Sequence, residues 1–522
     1  MQPDPRFRWW ALAALALSGL VIGLDLTILN VALPTLASDL GATTSDLQWF
    51  ANAYNLVLAA LMLPAGLLGD RFGRKKLLLA GLAVFGLGSL ACVYATSPET
   101  LIGARALLGL GAAFVLPLAV SALPLLFDSV ERAKAVSIWV TANAASFPLG
   151  PIIGGFLLDN FWWGSVFLIN VPVVVLGLLA VSMLVPESRS AQKPSLDLPG
   201  ILTSGVGLAG LTFGLTEAGS RGWSDGLVLA TLVGGIVLLI VFVVWEKRRP
   251  GTALVDLTLF RSRPFTWGSA MATLVSFATF GLLFSIPQFF QAVSGADALG
   301  TGLRLLPVIG GLLVGAQIAE KLVVKIGAGL VVSIGFAFVV VGLLTGVPTT
   351  VSSDYWFVAF WIAVSGIGIG FVLPTSMDTA LGTLTEERSG IGSAVIQAMR
   401  QVGGTVGVAV LGTVLSIVYR DRLDLDGVPS DIATRAEDSA AAGVIVAHRL
   451  ASDELLMSVR TAFVHAMDVM LVVCAGFGIL GVILAVVFLP RPRQAPEPEP
   501  GSIGEGGVKA AAQPKDGSAW RV

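Results

Sequence analysis

The chain has 522 residues, of which 55% are hydrophobic and 13% are charged, with a mean hydropathy of +0.85 and a formal net charge of −2. Because an average soluble domain carries about 25% charged residues, this composition predicts a polytopic membrane protein and excludes an ordinary soluble domain. The near-neutral net charge predicts no nucleic-acid partner.

Apolar runs of about 20 residues, the length that crosses a roughly 30 Å hydrocarbon core, recur along the chain. About fourteen such runs predict an all-α fold of about 14 transmembrane helices. An even number places both termini on one side. Basic residues concentrate in the loops on that side, and the short loops on the other side hold only Arg221, so both termini are predicted to be cytoplasmic. The runs are 10–34, 47–68, 77–96, 101–126, 135–158, 163–185, 198–218, 226–245, 265–292, 298–319, 328–347, 355–380, 389–418 and 464–489.

The first run contains a carboxylate, Asp25, within the segment GLDLTILNVALP at 23–34. An aspartate in hydrocarbon costs roughly 2.5 to 3.5 kcal/mol or more, and by default it marks a functional site that faces the protein interior. Loss of water also favours the protonated acid, so a proton could be exchanged there. The alternative is an aspartate close enough to the outer surface to stay hydrated.

Between the second and third runs, the segment GLLGDRFGRKKLLL at 66–79 places dense charge between two apolar stretches. Basic residues at that position predict a cytoplasmic loop. The glycines at 66, 69 and 73 are expected to let two helices approach closely, and Arg74 is expected to pair with a carboxylate. A loop that only fixes orientation is the alternative. The predicted hinge residues are Gly66, Asp70, Arg71, Gly73 and Arg74.

The order G-x-L-x-D-R-x-G-R-K-K in this loop resembles the signature loop of the major facilitator superfamily, with Gly69 where that family often has alanine. The segment around Asp25, including Asn30 and Pro34, resembles the first-span motif of its fourteen-span drug:proton antiporter branch. The resemblance extends over nearly the whole chain. It implies a transporter that works by alternating access.

The fourth run contains a lone arginine, Arg105, in LIGARALLGLGAAF. A buried guanidinium needs an acceptor, and because no carboxylate is close in sequence, its partner is expected to come from another helix. An arginine that reaches the outer interface is the alternative. The family's fourth-span motif has an arginine here, and the resemblance implies a role in proton coupling for Asp25 and Arg105.

The fifth run contains SFPLGPIIGGFLLD at 146–159, in which proline should kink the helix and glycines should form a flat face for a close partner. Pure packing would need glycines too. The ordered G-P-x-x-G-G matches the antiporter motif that exporters of the family carry and its importers generally lack. The motif residues are Gly150, Pro151, Gly154 and Gly155.

A coarse internal repeat relates the hinge to AQIAEKLVVKIGAG at 316–329, where Glu320 stands in the place of Asp70. The two loops are therefore expected at equivalent places in two six-helix halves, with the seventh and eighth runs as an inserted pair. Such a pair resembles the fourteen-span antiporters. The predicted units are a cytoplasmic N-terminus 1–8, a first bundle 9–185, an inserted pair with linkers 186–264, a second bundle 265–489 with an extracellular loop 419–463, and a disordered cytoplasmic tail 490–522. The loop is expected either to form short helices packed on the outer mouth or to be floppy.

In the thirteenth run, Gln397, Arg400 and Gln401 share one side of a helix. A polar stripe at that depth must face a wet cavity or a partner carboxylate. Asp378, towards the inner end of the twelfth run, is a secondary acidic candidate that could also simply reach the cytoplasmic headgroups. Asp468 and His465, near the start of the last run, are expected at the outer interface.

The chain lacks a G-x-x-x-x-G-K-[ST] loop and H-E-x-x-H, and has 2 His and 2 Cys, so neither ATP hydrolysis nor a metal site is expected. No cofactor and no enzymatic activity are predicted, and an ion gradient is the remaining energy source. The prediction is a monomeric exporter in the cell (inner) membrane that expels amphipathic or cationic small molecules in exchange for protons. A dedicated exporter of one metabolite, antibiotic or lipid is an alternative, and so is a non-transporting sensor or scaffold. The predicted substrate-cavity residues are Asn30, Trp49, Tyr54, Phe284, Gln288, Gln397, Arg400 and Gln401.

Overall fold

The computed structural model describes residues 5–127, 129–189, 197–249, 254–382, 384 and 386–489. The prediction of a disordered tail at 490–522 falls outside these residues. All regular structure in the described ranges is helical, and 14 helical segments are long and apolar enough to cross a membrane. The predicted fold class is therefore confirmed.

The first bundle consists of six membrane-crossing segments, two of which are broken helices. Capping boxes start α2 and α4, because Thr43 and Ser97 each exchange hydrogen bonds with the residue three positions later. The helices are α1 Pro5–Leu40, α2 Thr44–Phe72, α3 Arg74–Val93, α4 Pro98–Leu126, α5 Ser129–Ala144, α6 Ser146–Asn160, α7 Ser165–Leu168 and α8 Asn170–Leu184.

Two helices follow where the sequence predicts an inserted pair, α9 Leu198–Arg221 and α10 Gly226–Lys247. They pack against each other, and α9 also packs against α2. Much of α10 is exposed, as expected of a helix whose surroundings are lipid.

The second bundle has six further membrane-crossing segments, and α9 packs against one of them, α16. A 3-10 turn Leu257–Arg261 precedes the bundle, and a π turn Phe289–Val293 follows its first helix. The helices are α11 Arg263–Gln288, α12 Ala298–Arg304, α13 Leu306–Ile326, α14 Ala328–Gly346, α15 Tyr355–Leu381, α16 Glu386–Arg422, α17 Ser430–Asp438, α18 Ala440–Arg449 and α19 Asp453–Phe488.

The molecule has two membrane faces. We call the face that holds Pro5 and Phe488 the terminus side, and the face that holds α17 and α18 the loop side. The segment between α16 and α19 covers 423–452, which is shorter than the predicted loop 419–463. The difference arises because α16 continues to Arg422 and α19 already begins at Asp453. The Tyr419 hydroxyl, on the last turns of α16, donates to the Ala436 carbonyl of α17. Short helices, rather than a floppy loop, form this segment.

The two repeated loops both turn on a glycine with positive φ. Gly73 joins α2 to α3 with φ 118°, and Gly327 joins α13 to α14 with φ 84°. Such a backbone strains any residue with a Cβ. Both loops of the predicted repeat thus place a glycine with positive φ between two helices, although the repeat itself stays a prediction.

Candidate functional site

The centre of the first bundle holds an ion pair between Asp25 of α1 and Arg105 of α4. Arg105 Nη1 lies 2.5 Å from Asp25 Oδ2, and the two residues are 0% and 2% exposed for arginine and aspartate respectively. The partner of Arg105 does come from another helix, as predicted. A hydrated aspartate and an interfacial arginine, the two alternatives, do not fit this burial.

Four neighbours complete this cluster, which we call the Asp25 cluster. Asn170 of α8 donates from Nδ2 to Asp25 Oδ1 at 3.1 Å and also bonds the Ser89 hydroxyl. Arg105 donates from Nε to the Phe50 carbonyl at 2.9 Å, and its guanidinium lies 4.6 Å from the Tyr54 ring centre. Four helices thus fix one carboxylate and one guanidinium inside the membrane-crossing part of the bundle.

Some hydrogen-bonding capacity in the Asp25 cluster is unused. Arg105 Nη2, the Tyr54 hydroxyl and Asn170 Oδ1 are buried without a partner. Buried polar groups left unpaired cost free energy, about 1–3 kcal/mol each.

The predicted hinge forms a compact contact on the terminus side. Arg74 Nε donates to Asp70 Oδ1 at 2.8 Å, so the expected carboxylate partner lies on the same loop. Arg74 also donates to the Ser121 carbonyl of α4. Glu187, which follows α8, accepts from the backbone N–H groups of Lys75 and Lys76 and so caps α3.

The prediction of close helix approach holds only in part for this loop. A Cβ on Gly69 would collide with the Leu118 side chain of α4, whereas nothing lies within 4 Å of the position of a Cβ on Gly66. The prediction is thus wrong for Gly66, because this residue lies on a face without a packed neighbour. Arg71 stacks on Phe72 at 5.5 Å, and Glu320 of the repeat is exposed.

The G-P-x-x-G-G motif lies in α6 between the two bundles. A Cβ on Gly150 would strike Thr27 of α1, and one on Gly154 would strike Ile28. A Cβ on Gly155 would come within 2.5 Å of Leu299 Cα, and the Pro151 carbonyl leaves no room for a Cβ on Gly302. The motif therefore lets α6 touch α1 on one face and α12 on the other, backbone against backbone.

Hydrogen bonds join the bundles on the loop side. The Asp159 carboxylate, at the end of α6, accepts from the backbone N–H of Ala298 at 3.0 Å and of Leu299 at 2.9 Å. Gln291 donates to the Val31 carbonyl at 2.9 Å. These contacts close the loop side in this conformation.

The eight predicted cavity residues lie in several different environments in this structure. Tyr54, Phe284 and Gln288 are buried in the packed bundles. Trp49 faces the inserted pair, where its ring lies 6.0 Å from Phe213 and its N–H donates to Glu217. Asn30 is half-buried and donates to the Leu26 carbonyl of its own helix.

The polar stripe of α16 lies against α11. Arg400 donates to Gln397 on its own helix and to the Ser276 hydroxyl at 3.4 Å, and Gln401 is half-buried beside it. Among the described residues no carboxylate pairs with Arg400. Asp378 is exposed near the end of α15, as its interfacial alternative requires.

An apolar cleft lies between the bundles, and its residues were not among those predicted from the sequence. Phe147 of α6 faces it from the first bundle, and the other walls come from α11, α13 and α15. Leucine, isoleucine and valine in an apolar helix carry no sequence signal that separates a cleft wall from a lipid face. The other lining residues are Thr279, Leu282, Leu283, Ile286, Leu305, Val308, Ile309, Leu312, Ile362 and Ile369.

Comparison with known families settles the relationship of the chain. Residues 15–408 match the Major Facilitator Superfamily. The chain belongs to this superfamily. The resemblance drawn from the hinge and the G-P-x-x-G-G motif is thereby confirmed.

Two similar proteins of known name are an efflux pump and an export protein. The multidrug efflux pump LfrA of Mycolicibacterium smegmatis is 34% identical over 465 residues, which cover 88% of this chain and 92% of LfrA. The tetracenomycin C resistance and export protein of Streptomyces glaucescens is 31% identical, over 84% of this chain and 82% of that protein.

A solved major facilitator structure supports the fold. A bacterial homologue of the human lysosomal transporter Spinster, in an inward-facing and unoccupied conformation, aligns with a TM-score of 0.64. The alignment covers 94% of this chain and 100% of that one at 16% identity, so it speaks for the fold alone.

Three polar residues of this major facilitator protein were missed by the sequence reasoning, namely Asn170, Glu187 and Asp159. Asn170 carried a usable signal, because a polar amide inside an apolar run predicts a hydrogen-bonding partner within the bundle. Asp159 and Glu187 lie at helix ends, where carboxylates are common, so no signal set them apart.

Proposed function

We propose that this protein exports amphipathic or cationic small molecules across the cell membrane in exchange for protons, by alternating access. The Asp25–Arg105 pair is the observation that carries this proposal, because a buried acid with a single cationic partner is a means of binding and releasing one proton. The names of the relatives, a multidrug efflux pump and a resistance and export protein, support the direction of transport.

Proton exchange at Asp25 would follow the distance to Arg105. In this conformation the guanidinium lies 2.5 Å from the carboxylate, and the proposal assigns proton release to this state. Proton uptake is assigned to the opposite conformation, in which Arg105 would have moved away from Asp25. If one proton moves per substrate, each unit of pH difference can support about a tenfold substrate gradient.

Orientation follows from the basic loops. The terminus side is cytoplasmic in this proposal, so a structure closed on its loop side is inward-facing, the state that releases protons and admits substrate from the cell. The hinge residues Asp70, Arg71, Gly73 and Arg74 would then bias one of two global states. The protein would act as a monomer in the lipid bilayer.

The apolar cleft between the bundles suits the hydrophobic part of a substrate. The predicted cavity residues Asn30, Trp49, Tyr54, Phe284, Gln288, Gln397, Arg400 and Gln401 would take part when the bundles move apart. Dedicated export of one compound is a second candidate, favoured by the tetracenomycin C relative. A substrate panel separates a broad exporter from a dedicated one.

The test uses purified protein in liposomes with an imposed pH gradient and ethidium as a fluorescent cationic probe. Wild-type protein should move ethidium in response to the gradient. Asp25→Asn should abolish this response yet still bind ethidium in detergent, because the amide mimics the protonated acid. Asp39→Asn, an exposed aspartate near the loop-side end of the same helix, is the matched control and should behave as wild type.

Gradient-driven transport by Asp25→Asn at the wild-type rate would refute the role of Asp25. Absence of transport by every form, with any substrate of the panel, would favour the sensor or scaffold.

A further inference from the structure

A polar cleft of about 240 Å³ opens on the loop side of the second bundle. Its walls come from the π turn after α11, the end of α12, the loop before α15 and the start of α15. The side chains that matter here are Phe290, Ser294, Arg304, Ser352, Ser353 and Tyr355. The cleft lies outside the Asp25 cluster and outside the apolar cleft between the bundles.

Arg304 is the one charged side chain among the residues that line this cleft. Its guanidinium carbon lies 5.8 Å from the ring centre of Phe290 and 5.8 Å from that of Tyr355. The residue is half-buried, and among the described residues no carboxylate pairs with it. Stacking on rings stabilises the cation but satisfies none of its N–H donors. A partly dehydrated guanidinium therefore faces the cleft with hydrogen bonds to give.

The other polar groups of the cleft are also able to donate. The Ser353 hydroxyl accepts from the Thr350 N–H at 2.8 Å, and Ser352 lies within 3.3 Å of the Thr350 hydroxyl, so both side chains are positioned by the same turn. Arg460 of α19 adds positive charge nearby, where it donates to the Ala292 carbonyl. Donor groups around a single lining cation, Arg304, favour an anion over a metal ion.

We infer that this cleft binds a phosphate-type oxyanion through Arg304 and the adjacent serines. The planar fork of an arginine matches two oxygens of a phosphate, and hydroxyls supply further donors. Trp356, next to Tyr355 at a ring distance of 5.3 Å, is 77% exposed, as is typical of the aromatic belt at the membrane interface. The cleft thus lies at the level where a lipid head group and a free phosphate can both reach it.

The experiment measures binding to the purified, delipidated full chain by native mass spectrometry. One arm titrates phosphatidylglycerol and the other titrates inorganic phosphate. Wild-type protein should show one saturable site that Arg304→Gln weakens roughly tenfold or more, since a hydrogen bond to a charged group is lost. Arg422→Gln, which removes an exposed loop-side arginine outside the cleft, should leave this site unchanged.

Dependence on Arg304 in the lipid arm alone assigns the site to a lipid head group, and dependence in the phosphate arm assigns it to a free anion. Equal binding by Arg304→Gln and wild type in both arms overturns the inference, as does the absence of saturable binding to wild type. Should Arg304→Gln not yield monodisperse protein, Arg304→Lys decides. It keeps the charge without the fork, so an affinity equal to wild type contradicts the proposed geometry.

Discussion

At the scale of single residues, Asp25 and Arg105 each lower the free-energy cost of burying the charge of the other. A buried charge without its partner is costly, about 3–5 kcal/mol when one member of a pair is removed. In the proposed proton exchange Asp25 would be the member of the pair that binds the proton, because an arginine side chain is not deprotonated in proteins. Arg105 would then control the exchange through its distance from Asp25.

Arg105→Met should destabilise the protein by about 3–5 kcal/mol, because it leaves the Asp25 carboxylate buried and unpaired. Adding Asp25→Asn to this variant should recover much of the loss, since a neutral amide replaces the lone charge. Thermal unfolding of the three proteins in the same detergent measures both effects. If the double variant were instead less stable than Arg105→Met, the pair would not be coupled as the geometry requires.

At the scale of helices, α6 and α12 touch through backbone atoms on the loop side. The 2.5 Å between a Cβ on Gly155 and Leu299 Cα means that no side-chain adjustment relieves the collision. Separation of the two helices by any added group would also weaken the two hydrogen bonds that Asp159 accepts.

Gly155→Val should therefore loosen the loop-side contact, at a cost of about 1–3 kcal/mol for overpacking. This corresponds to roughly a tenfold larger open fraction. Hydrogen exchange over residues 297–304 should become faster by about that factor. Gly310→Val is the matched control, since nothing lies within 4 Å of its Cβ position, and it should exchange as wild type does. Unchanged exchange in Gly155→Val would show that the contact does not hold the bundles together.

Sequence predicted these helices because length and hydropathy are local properties. The G-P-x-x-G-G order likewise marked α6 as a close-packing helix, and the predicted function of Asp25 rested on its cost in hydrocarbon. Partners were out of reach. Asp159 lies 139 residues from Ala298, and Asn170 lies 145 residues from Asp25, so no periodicity in either segment reports the contact. The lining of the clefts could not be predicted for the same reason, because the facing walls of each cleft come from helices far apart in the sequence.

At the scale of the whole molecule, contacts at three places join the two bundles on the loop side. Asp159 joins α6 to α12, Gln291 joins the π turn to α1, and the Gln48 side chain fills the space beside Gly412 between α2 and α16. Each contact joins the first bundle to the second. Transport by alternating access requires all three to break together once per cycle.

A reversible cross-link between Asp159→Cys and Leu299→Cys should therefore stop transport. The two positions adjoin, since the Asp159 carboxylate accepts from the Leu299 N–H at 2.9 Å, and a short bis-thiol reagent can span them. Both native cysteines, Cys92 and Cys474, are buried and should not react. Uptake in liposomes should be lost on cross-linking and should return on reduction. The control pair is Asp424→Cys with Ser458→Cys. These positions adjoin, because the Ser458 hydroxyl bonds the backbone of Asp424, and both lie in the second bundle. The control variant should transport whether it is cross-linked or not. Full transport by the linked Asp159–Leu299 variant would mean that the loop side need not open, and alternating access through this face would be wrong.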